Sequence, residues 1–212
     1  WRNYRYTYYR LIEKVDTEIG KIIDQINSLG LRENTIIIFT SDNGYHRMAS
    51  ANQQLRGAKG DIYEGGIKVP MLVNWPKKVK PRRSEVAVTG LDVFPTFMNL
   101  AKVDDYKGEL DGASMTALFQ YDNKSLKERP LFWHLASCFK HGTCSVIRKG
   151  DYKLIQFLAD GKLELYDLKS DPKESNNLAH DKTEITNQLL TELVEWRKSN
   201  NVALPPNAVM DF

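Results

Sequence analysis

Two segments of the sequence carry side chains suited to binding a divalent cation and an anion. In the first, Ser41-Asp42-Asn43-Gly44, a carboxylate lies beside a carboxamide, directly after an apolar run rich in β-branched residues. Such hard oxygen donors are the ligands that Ca²⁺ and Mg²⁺ prefer. The carboxyl end of a buried strand is also where ligands bind in open α/β sheets. Because the same residue types are typical of an Asx turn, this segment by itself leaves the metal site a hypothesis.

The second segment, residues 55–70, is rich in glycine, with four glycines in the ten residues from 57 to 66. Glycine lets a backbone pass close to a ligand. Lys59 lies between two of these glycines and could set its ammonium, a compact point charge, on an anionic oxygen. Glu64 could hold the loop by accepting backbone N–H groups. A flexible glycine loop with exposed charges is the alternative interpretation.

The first segment follows a predicted helix and a predicted strand. Apolar residues at three- and four-residue spacings predict an amphipathic helix over residues 4–29, ended by Gly30. Residues 35–40 are apolar on both faces, which predicts a central strand of a parallel sheet. The stretch from 41 to 64 is predicted to be a long loop that carries function. The other elements predicted before residue 128 are strands at 69–75 and 86–88, a helix at 93–101 capped by Asp92, and a short helix at 115–119.

From residue 129 the pattern changes to short strands joined by turn signals. The turn signals Lys149-Gly150-Asp151 and Ala159-Asp160-Gly161 favour an antiparallel meander. The predicted strands are Leu131–Leu135, Ser145–Lys149, Tyr152–Phe157 and Leu163–Asp167, and Thr183–Lys198 is predicted to be a closing amphipathic helix. The sequence therefore predicts an α/β part at 1–128 and a small antiparallel sheet plus helix at 129–212.

The composition is that of a soluble globular protein. The chain has 212 residues, a hydrophobic fraction of 42% and a formal net charge of +3. No apolar run approaches the roughly 20 residues that span a bilayer, and the net charge is too small to favour nucleic-acid binding. Two cysteines exclude a disulfide scaffold and a four-thiolate zinc site. The opening Trp1-Arg2-Asn3-Tyr4, with neither a start methionine nor a signal peptide, predicts a piece of a longer protein.

Together, the two segments resemble the sulfatase family of the alkaline-phosphatase-like superfamily. A strand followed by Ser-Asp-Asn-Gly leads to Arg-Gly-x-Lys-Gly-x-x-Tyr-Glu-Gly-Gly-x-x-x-Pro at 56–70. Residues 9–42, 89–96, 148–155 and 164–172 are similar to further segments of that family. The resemblance implies the C-terminal portion of an α/β/α sandwich, followed by a four-stranded antiparallel sheet with a C-terminal helix.

The resemblance also implies hydrolysis of a sulfate monoester, with a sulfated small molecule or a sulfated sugar as substrate. The family holds one divalent cation, usually Ca²⁺, and its ligands correspond to Asp42 and Asn43. The lysine at the position of Lys59 contacts the sulfate and takes part in catalysis. Arg56 is expected to be a further substrate contact. Arg56 and Glu64 are also expected to support the loop. Positive charge at such a site stabilises the sulfate oxygens as the leaving-group bond breaks.

The sequence departs from the family pattern where the nucleophile is expected. The family oxidises Cys or Ser of a Cys/Ser-x-Pro-x-Arg motif to formylglycine, and no such motif occurs here. Cys144 and Arg148 have the right separation, but Val146 replaces the proline. The family's paired aspartates and its upstream Lys/His pair are also absent, and Asp104-Asp105 lies in a polar loop. The chain alone is therefore predicted to be inactive, with the nucleophile in an N-terminal half that these residues do not include.

Histidines and cysteines add weaker hypotheses. His46, three residues past Asn43, could contact sulfate or sugar as a catalytic group, or could be a surface histidine. His134 could reach the rim of the site as a substrate contact, or could be a core histidine. Sulfatases are commonly exported, which implies a periplasmic, secreted or lysosomal protein. In that setting Cys138 and Cys144 could form a disulfide.

Two other functions remain open from the sequence. A phosphoryl-transfer enzyme of the same superfamily typically binds two metals through additional Asp and His ligands, and no Asp-x-x-x-His set follows Asn43. A non-catalytic domain that binds sulfated ligands or a partner is the other alternative. A sheet that lacks its neighbouring strands would also expose edges and apolar surface, which predicts self-association of this chain.

Overall fold

The computed structural model describes residues 2–48, 54–119, 128–138 and 141–209. Its packing separates the chain into two compact units, one of residues 1–10, 41–70 and 129–212, the other of residues 11–40 and 71–128. The domain boundary at residue 128 stays a prediction. By packing, however, residues 41–70, which hold the predicted site, belong with the C-terminal sheet.

The unit of residues 11–40 and 71–128 contains a pair of short strands. Strand β1, Ile37–Thr40, pairs with β2, Met71–Asn74, and Thr40 lies opposite Met71 in an antiparallel ladder. The prediction that residues 35–40 form a strand of a parallel sheet is therefore wrong in direction. A β-branched apolar run favours a strand, but the path of the connecting chain decides whether it pairs parallel or antiparallel.

Helices account for most of the other regular structure of this unit. Helix α1, Arg2–Ser28, begins in the first unit and confirms the amphipathic helix, and α3, Val93–Ala101, has its predicted bounds. A short helix α4 spans Thr116–Phe119. Residues 86–88 form no strand, because no described strand pairs with them. The buried Asp92 carboxylate accepts the N–H groups of Thr89 at 2.7 Å and Ala113 at 2.8 Å, so it joins the start of α3 to a later loop.

The other unit is built on a four-stranded antiparallel sheet in the order β3-β4-β5-β6. This arrangement confirms the predicted meander and, with the C-terminal helix, the mixed α/β class. Its strands are longer than predicted at the first hairpin, where β3 and β4 continue toward the turn. The element bounds are Glu64–Ile67 for the short helix α2, Leu131–Cys138, Gly142–Lys149, Tyr152–Phe157 and Leu163–Asp167 for β3 to β6, and Thr183–Ser199 for α5.

Alternate residues along the strands of this sheet pack into two hydrophobic cores, one on each face. On one face, Val146 and Ile155 pack with Ile62 and Tyr63 of the glycine-rich segment. On the other face, Ile147, Leu154 and Leu165 pack against α5 through Leu189, Leu190 and Leu193. Because side chains alternate along a strand, one sheet can carry the site segment and the helix on opposite faces. None of the helices within the described residues has the length and apolar character of a membrane span.

Candidate functional site

Backbone hydrogen bonds join the two motif segments. The N–H of Gly44 donates to the carbonyl of Gly66 at 2.8 Å, and the N–H of Lys59 donates to the carbonyl of Tyr45 at 2.9 Å. The Tyr45 hydroxyl also donates to the carbonyl of Leu55 at 3.2 Å. The structure therefore brings the segment with the predicted metal ligands and the segment with the predicted anion-binding lysine together.

Glycine is required where these backbones touch. A Cβ atom on Gly44 would collide with the carbonyl group of Gly65, and one on Gly66 would collide with the carbonyl oxygen of Asp61. The glycines on either side of Lys59 adopt left-handed backbone conformations, with φ of 78° at Gly57 and 87° at Gly60. These positions use the two properties that only glycine offers, close approach and positive φ.

Asp42 and Asn43 fit a divalent cation in chemistry but not in number. Asp42 is exposed, Asn43 is half-buried, and neither side chain has a hydrogen-bond partner among the described residues. Carboxylate and carboxamide oxygens suit Ca²⁺, which takes 6–8 oxygen ligands. Within the described ranges no group of three or more His, Cys, Asp or Glu side chains could hold a metal. Two oxygen donors would fill only part of such a shell.

Lys59 presents its charge to solvent. Its side chain is exposed, and no described residue pairs with the ammonium. A turn closed by the hydrogen bond from the Asp61 N–H to the Ala58 carbonyl, 2.8 Å, fixes the backbone around it. An unpaired ammonium on a fixed backbone can bind an anionic oxygen without first breaking another ion pair.

Arg56, in contrast, is already committed to the protein. Its guanidinium donates to the hydroxyls of Tyr166 at 2.8 Å and Tyr63 at 2.9 Å, and to the carbonyl of Glu174 at 2.7 Å. It also stacks on the Tyr63 ring, 3.7 Å from the centroid. These contacts match the predicted loop-supporting role, whereas none of them concerns the predicted substrate contact.

Glu164 accepts hydrogen bonds from the two tyrosine hydroxyls that also contact Arg56. Its Oε2 accepts hydrogen bonds from Tyr63 and Tyr166, both at 2.8 Å, and Lys162 donates to its Oε1 at 2.7 Å. Burial raises the pKa of both tyrosines, and the bond to Glu164 raises it further, so the hydroxyls remain donors. Burial alone would raise the pKa of Glu164, but the bonds from Lys162 and the two tyrosines lower it overall.

A second buried cluster of charged side chains is centred on Lys153. Lys153, fully buried on β5, donates to Glu64 Oε1 at 3.1 Å and forms an ion pair with Glu174 Oε1 at 2.8 Å. The Glu64 N–H donates to Glu174 Oε2 at 2.7 Å. The prediction that the Glu64 carboxylate accepts backbone N–H groups is therefore wrong, because within the described residues that carboxylate binds Lys153 instead. A buried charge needs such partners because desolvation is costly.

Local sequence patterns did not point to Lys153, Glu164, Tyr166 or Glu174. One signal was available, because Lys153 is a charged residue in the largely apolar strand Tyr152–Phe157 and must be paired if that strand is buried. Its partners Glu64 and Glu174 lie 89 and 21 residues away along the chain, and no local spacing connects them to it.

The two predicted histidines lie in different surroundings. His46 is half-buried, accepts the N–H of Met48 at Nδ1 at 3.4 Å, and packs near the Tyr4 ring. It therefore belongs to the segment of Asp42. His134 bonds to the Ser145 hydroxyl at 2.9 Å and shares the α5 face of the sheet, because Ser145 alternates with Val146 of the other face. The structure does not bring His134 together with the glycine-rich segment.

Cys138 and Cys144 are free, buried thiols that contact each other. The hydrogen bond that the Cys144 thiol donates to Cys138, and then burial, raise the pKa of Cys144. The Cys138 thiol also faces the carbonyl of Gly60, at 3.9 Å. Both thiols are free in this structure, so the disulfide stays a prediction.

Comparisons with known proteins give one consistent result. Residues 2–103 match the family model described as Sulfatase, and residues 58–199 match the one described as N-sulphoglucosamine sulphohydrolase, C-terminal. The chain is 29% identical over 189 residues to an N-acetylglucosamine-6-O-sulfatase of Bacteroides thetaiotaomicron, covering 84% of this chain and 32% of that protein. It is 30% identical over 191 residues to arylsulfatase A of Homo sapiens, covering 78% and 37%.

The fold gives the same result. The crystal structure of Ps i-CgsB in complex with k-i-k-neocarrahexaose matches 91% of this chain with a TM-score of 0.80 and 29% identity. The match covers 43% of that chain. This chain thus spans less than half the length of these relatives.

Proposed function

The chain belongs to the sulfatase family, and from this membership we propose that the whole protein hydrolyses sulfate monoesters carried by a sugar. The sugar is proposed because one relative is named for an N-acetylglucosamine sulfate and another was crystallised with a neocarrahexaose. The observation that carries the proposal is the pair of backbone hydrogen bonds, Gly44 to Gly66 and Lys59 to Tyr45. They join the oxygen donors and the free ammonium, which a sulfate site needs together.

We propose that Asp42 and Asn43 hold one divalent cation, Ca²⁺ by the chemistry of their oxygens. When bound, a cation at this position polarises the sulfate oxygens. Two side chains fill only part of a Ca²⁺ shell, so the remaining ligands are proposed to come from outside the described residues. The formylglycine nucleophile is proposed to come from outside these 212 residues, because the sequence contains no Cys/Ser-x-Pro-x-Arg motif.

In this proposal Lys59 stabilises the sulfate as the ester bond breaks. Its ammonium binds a sulfate oxygen and offsets the negative charge that shifts onto the leaving oxygen. His46 lies in the same segment as Asp42, and with Nδ1 accepting the Met48 N–H the ring's other nitrogen, Nε2, is the one left to donate. We keep His46 as a proposed sulfate or sugar contact. The export predicted from the resemblance likewise remains a proposal.

The test is turnover of an aryl sulfate by the whole protein in the presence of Ca²⁺. Lys59→Ala should lower kcat/KM by about 100-fold or more, the cost of removing one preorganised charged contact. Lys68→Ala is the matched control, since Lys68 is an exposed lysine of the same glycine-rich segment. We expect full activity in that control.

Two outcomes would contradict parts of the proposal. An unchanged kcat/KM in Lys59→Ala would remove Lys59 from the sulfate site. Turnover by the 212-residue chain alone, abolished by Lys59→Ala, would show that the nucleophile lies within these residues. A calorimetric titration of this chain with Ca²⁺ should give a Kd no tighter than about 0.1 mM, as expected for a poorly completed shell.

A further inference from the structure

Glu174 has an unusual backbone for a buried acidic residue. Its φ is 53°, in the left-handed region, although its side chain is fully buried. Residues with a Cβ adopt this conformation at a cost of roughly 1 kcal/mol, and Glu is not among the types that favour it. Such strain persists where the surrounding contacts require it.

Both the carboxylate and the main-chain carbonyl of Glu174 bind residues of the glycine-rich segment. The carboxylate accepts the N–H of Glu64 at 2.7 Å and pairs with Lys153, which also binds the Glu64 side chain. The main-chain carbonyl accepts the Arg56 guanidinium at 2.7 Å. One residue thereby fixes both ends of the stretch from 56 to 64, and Lys59 lies between them.

Short contacts within residues 56–66 connect the positions of Arg56 and Glu64 to that of Lys59. The N–H of Gly65 donates to the carbonyl of Arg56 at 2.6 Å, which closes the loop directly beside Glu64. Gly65 and Gly66 then pack on the carbonyls of Gly57 and Ala58 too closely for a side chain. A displacement of Glu64 or Arg56 must therefore move the turn that carries Lys59.

We propose that Glu174 is a positioning residue for Lys59, holding the glycine-rich loop through its carboxylate and its left-handed main chain. It touches no substrate, and its effect on turnover passes through the loop. Its effect on Lys59 as a sulfate-binding group rests on the proposed function. Its effect on the loop itself does not.

The test compares two variants in the whole protein by hydrogen exchange and by kinetics. Glu174→Ala deletes the carboxylate and keeps the left-handed strain, whereas Glu174→Gly deletes the carboxylate and relieves the strain. Glu192→Ala is the matched control, because it removes an ion pair of 2.7 Å with Lys149 on the opposite, α5 face of the sheet. Exchange is followed at the amides of Lys59, Glu64 and Gly65, and for comparison in α5.

Both Glu174 variants should accelerate exchange at the three loop amides by at least about tenfold, the equivalent of one lost hydrogen bond. Exchange in α5 should stay within about twofold of the wild type. The kcat for an aryl sulfate should fall by at least about tenfold while KM changes less, because a misplaced Lys59 loses mainly transition-state contact. Glu192→Ala should change neither loop exchange nor kcat.

Three results would overturn the proposal. Loop exchange equal to wild type in Glu174→Gly would show that the carboxylate does not hold the loop. Equal acceleration in the loop and in α5 would show general destabilisation. Accelerated loop exchange with unchanged kinetics in an active enzyme would remove the link to Lys59. If the wild-type protein has no sulfatase activity, the proposed function fails and loop exchange alone decides whether Glu174 holds the loop.

Discussion

Gly44 is the residue at which one added methyl group should most damage the site. A Cβ there would collide with the Gly65 carbonyl group, and backbone atoms on both sides leave no flexible side chain to yield. We expect Gly44→Ala to lower the free energy of unfolding by about 2–4 kcal/mol, the range of overpacking and strain together. Urea denaturation followed by circular dichroism measures the change.

Gly20 provides the matched control for this substitution. It lies inside α1, and nothing is within 4 Å of the position that a Cβ would take. Gly20→Ala should therefore stabilise the protein by about 0.5–1 kcal/mol, since alanine is the better helix former. A Gly44→Ala protein as stable as the wild type would contradict the close packing of the two segments.

At the residue scale, residue types and spacing in the sequence predicted the candidate side chains. Asp42, Asn43 and Lys59 lie in short motifs whose chemistry is local, and the structure brings their segments together. Glu174 and Lys153 could not be found in this way. Their roles depend on a left-handed backbone and on partners far away along the chain, neither of which a spacing records.

The hydrogen-bonded group around Glu164 ties the glycine-rich segment to β6 and should make stability depend on pH. Its bonds hold the folded-state pKa of Glu164 below the ordinary value of 4.5. A depressed carboxyl pKa contributes stability above the unfolded-state pKa, and this contribution is lost as pH falls through the folded-state pKa. Glu164→Gln should thus cost about 1–3 kcal/mol at pH 7, and the cost should shrink below pH 4.5.

Urea midpoints measured from neutral to acidic pH check this prediction. Glu195→Gln is the control, because Glu195 is an exposed residue of α5 with no described hydrogen-bond partner. Its difference from the wild type should stay small throughout. A Glu164→Gln difference that stayed constant from pH 7 into the acid range would contradict the assigned charge state.

At the element scale, periodicity located helices and the meander well, because α1, α3 and α5 have apolar residues at helical spacing and β4–β6 bury alternate residues on each face. It failed where pairing decides the outcome. Residues 86–88 have strand composition but no described partner strand, and β1 has the composition of a parallel strand but an antiparallel neighbour. Pairing partners are a tertiary property, so composition alone does not predict them.

The unit of residues 11–40 and 71–128 leaves large apolar side chains in solvent. Leu72 on β2 is 62% exposed, and Phe94 and Phe97 on α3 are 52% and 43% exposed. Exposed apolar groups of this size favour association. We expect the isolated 212-residue chain to self-associate with rising concentration in sedimentation velocity, and Leu72→Lys to reduce this association without lowering the Tm.

A single monomeric species at all concentrations would contradict this prediction. Phe132 is the reference for an apolar residue that should not matter to association, because it stacks on Trp196 with ring centroids 4.8 Å apart. Its conservative replacement, Phe132→Leu, should lower stability and leave association unchanged.

At the scale of the whole molecule, the sequence predicted two parts with a boundary at residue 128, and that boundary stays a prediction. The observed packing groups residues 41–70 with the C-terminal sheet. Ile62 and Tyr63 account for this grouping, because they pack against Val146 and Ile155 of the sheet. No spacing in the sequence predicts contacts between residues so far apart along the chain.

The pairing of Thr40 with Met71 has a consequence for how this family can diversify. The chain leaves the β1–β2 ladder and re-enters it at the same rung, so residues 41–70 form an excursion whose ends stay about 5 Å apart. Lengthening such an excursion costs little, since closure entropy grows only slowly with length. A change of length within this excursion, away from the closely packed glycines, can therefore leave the register of both strands unchanged.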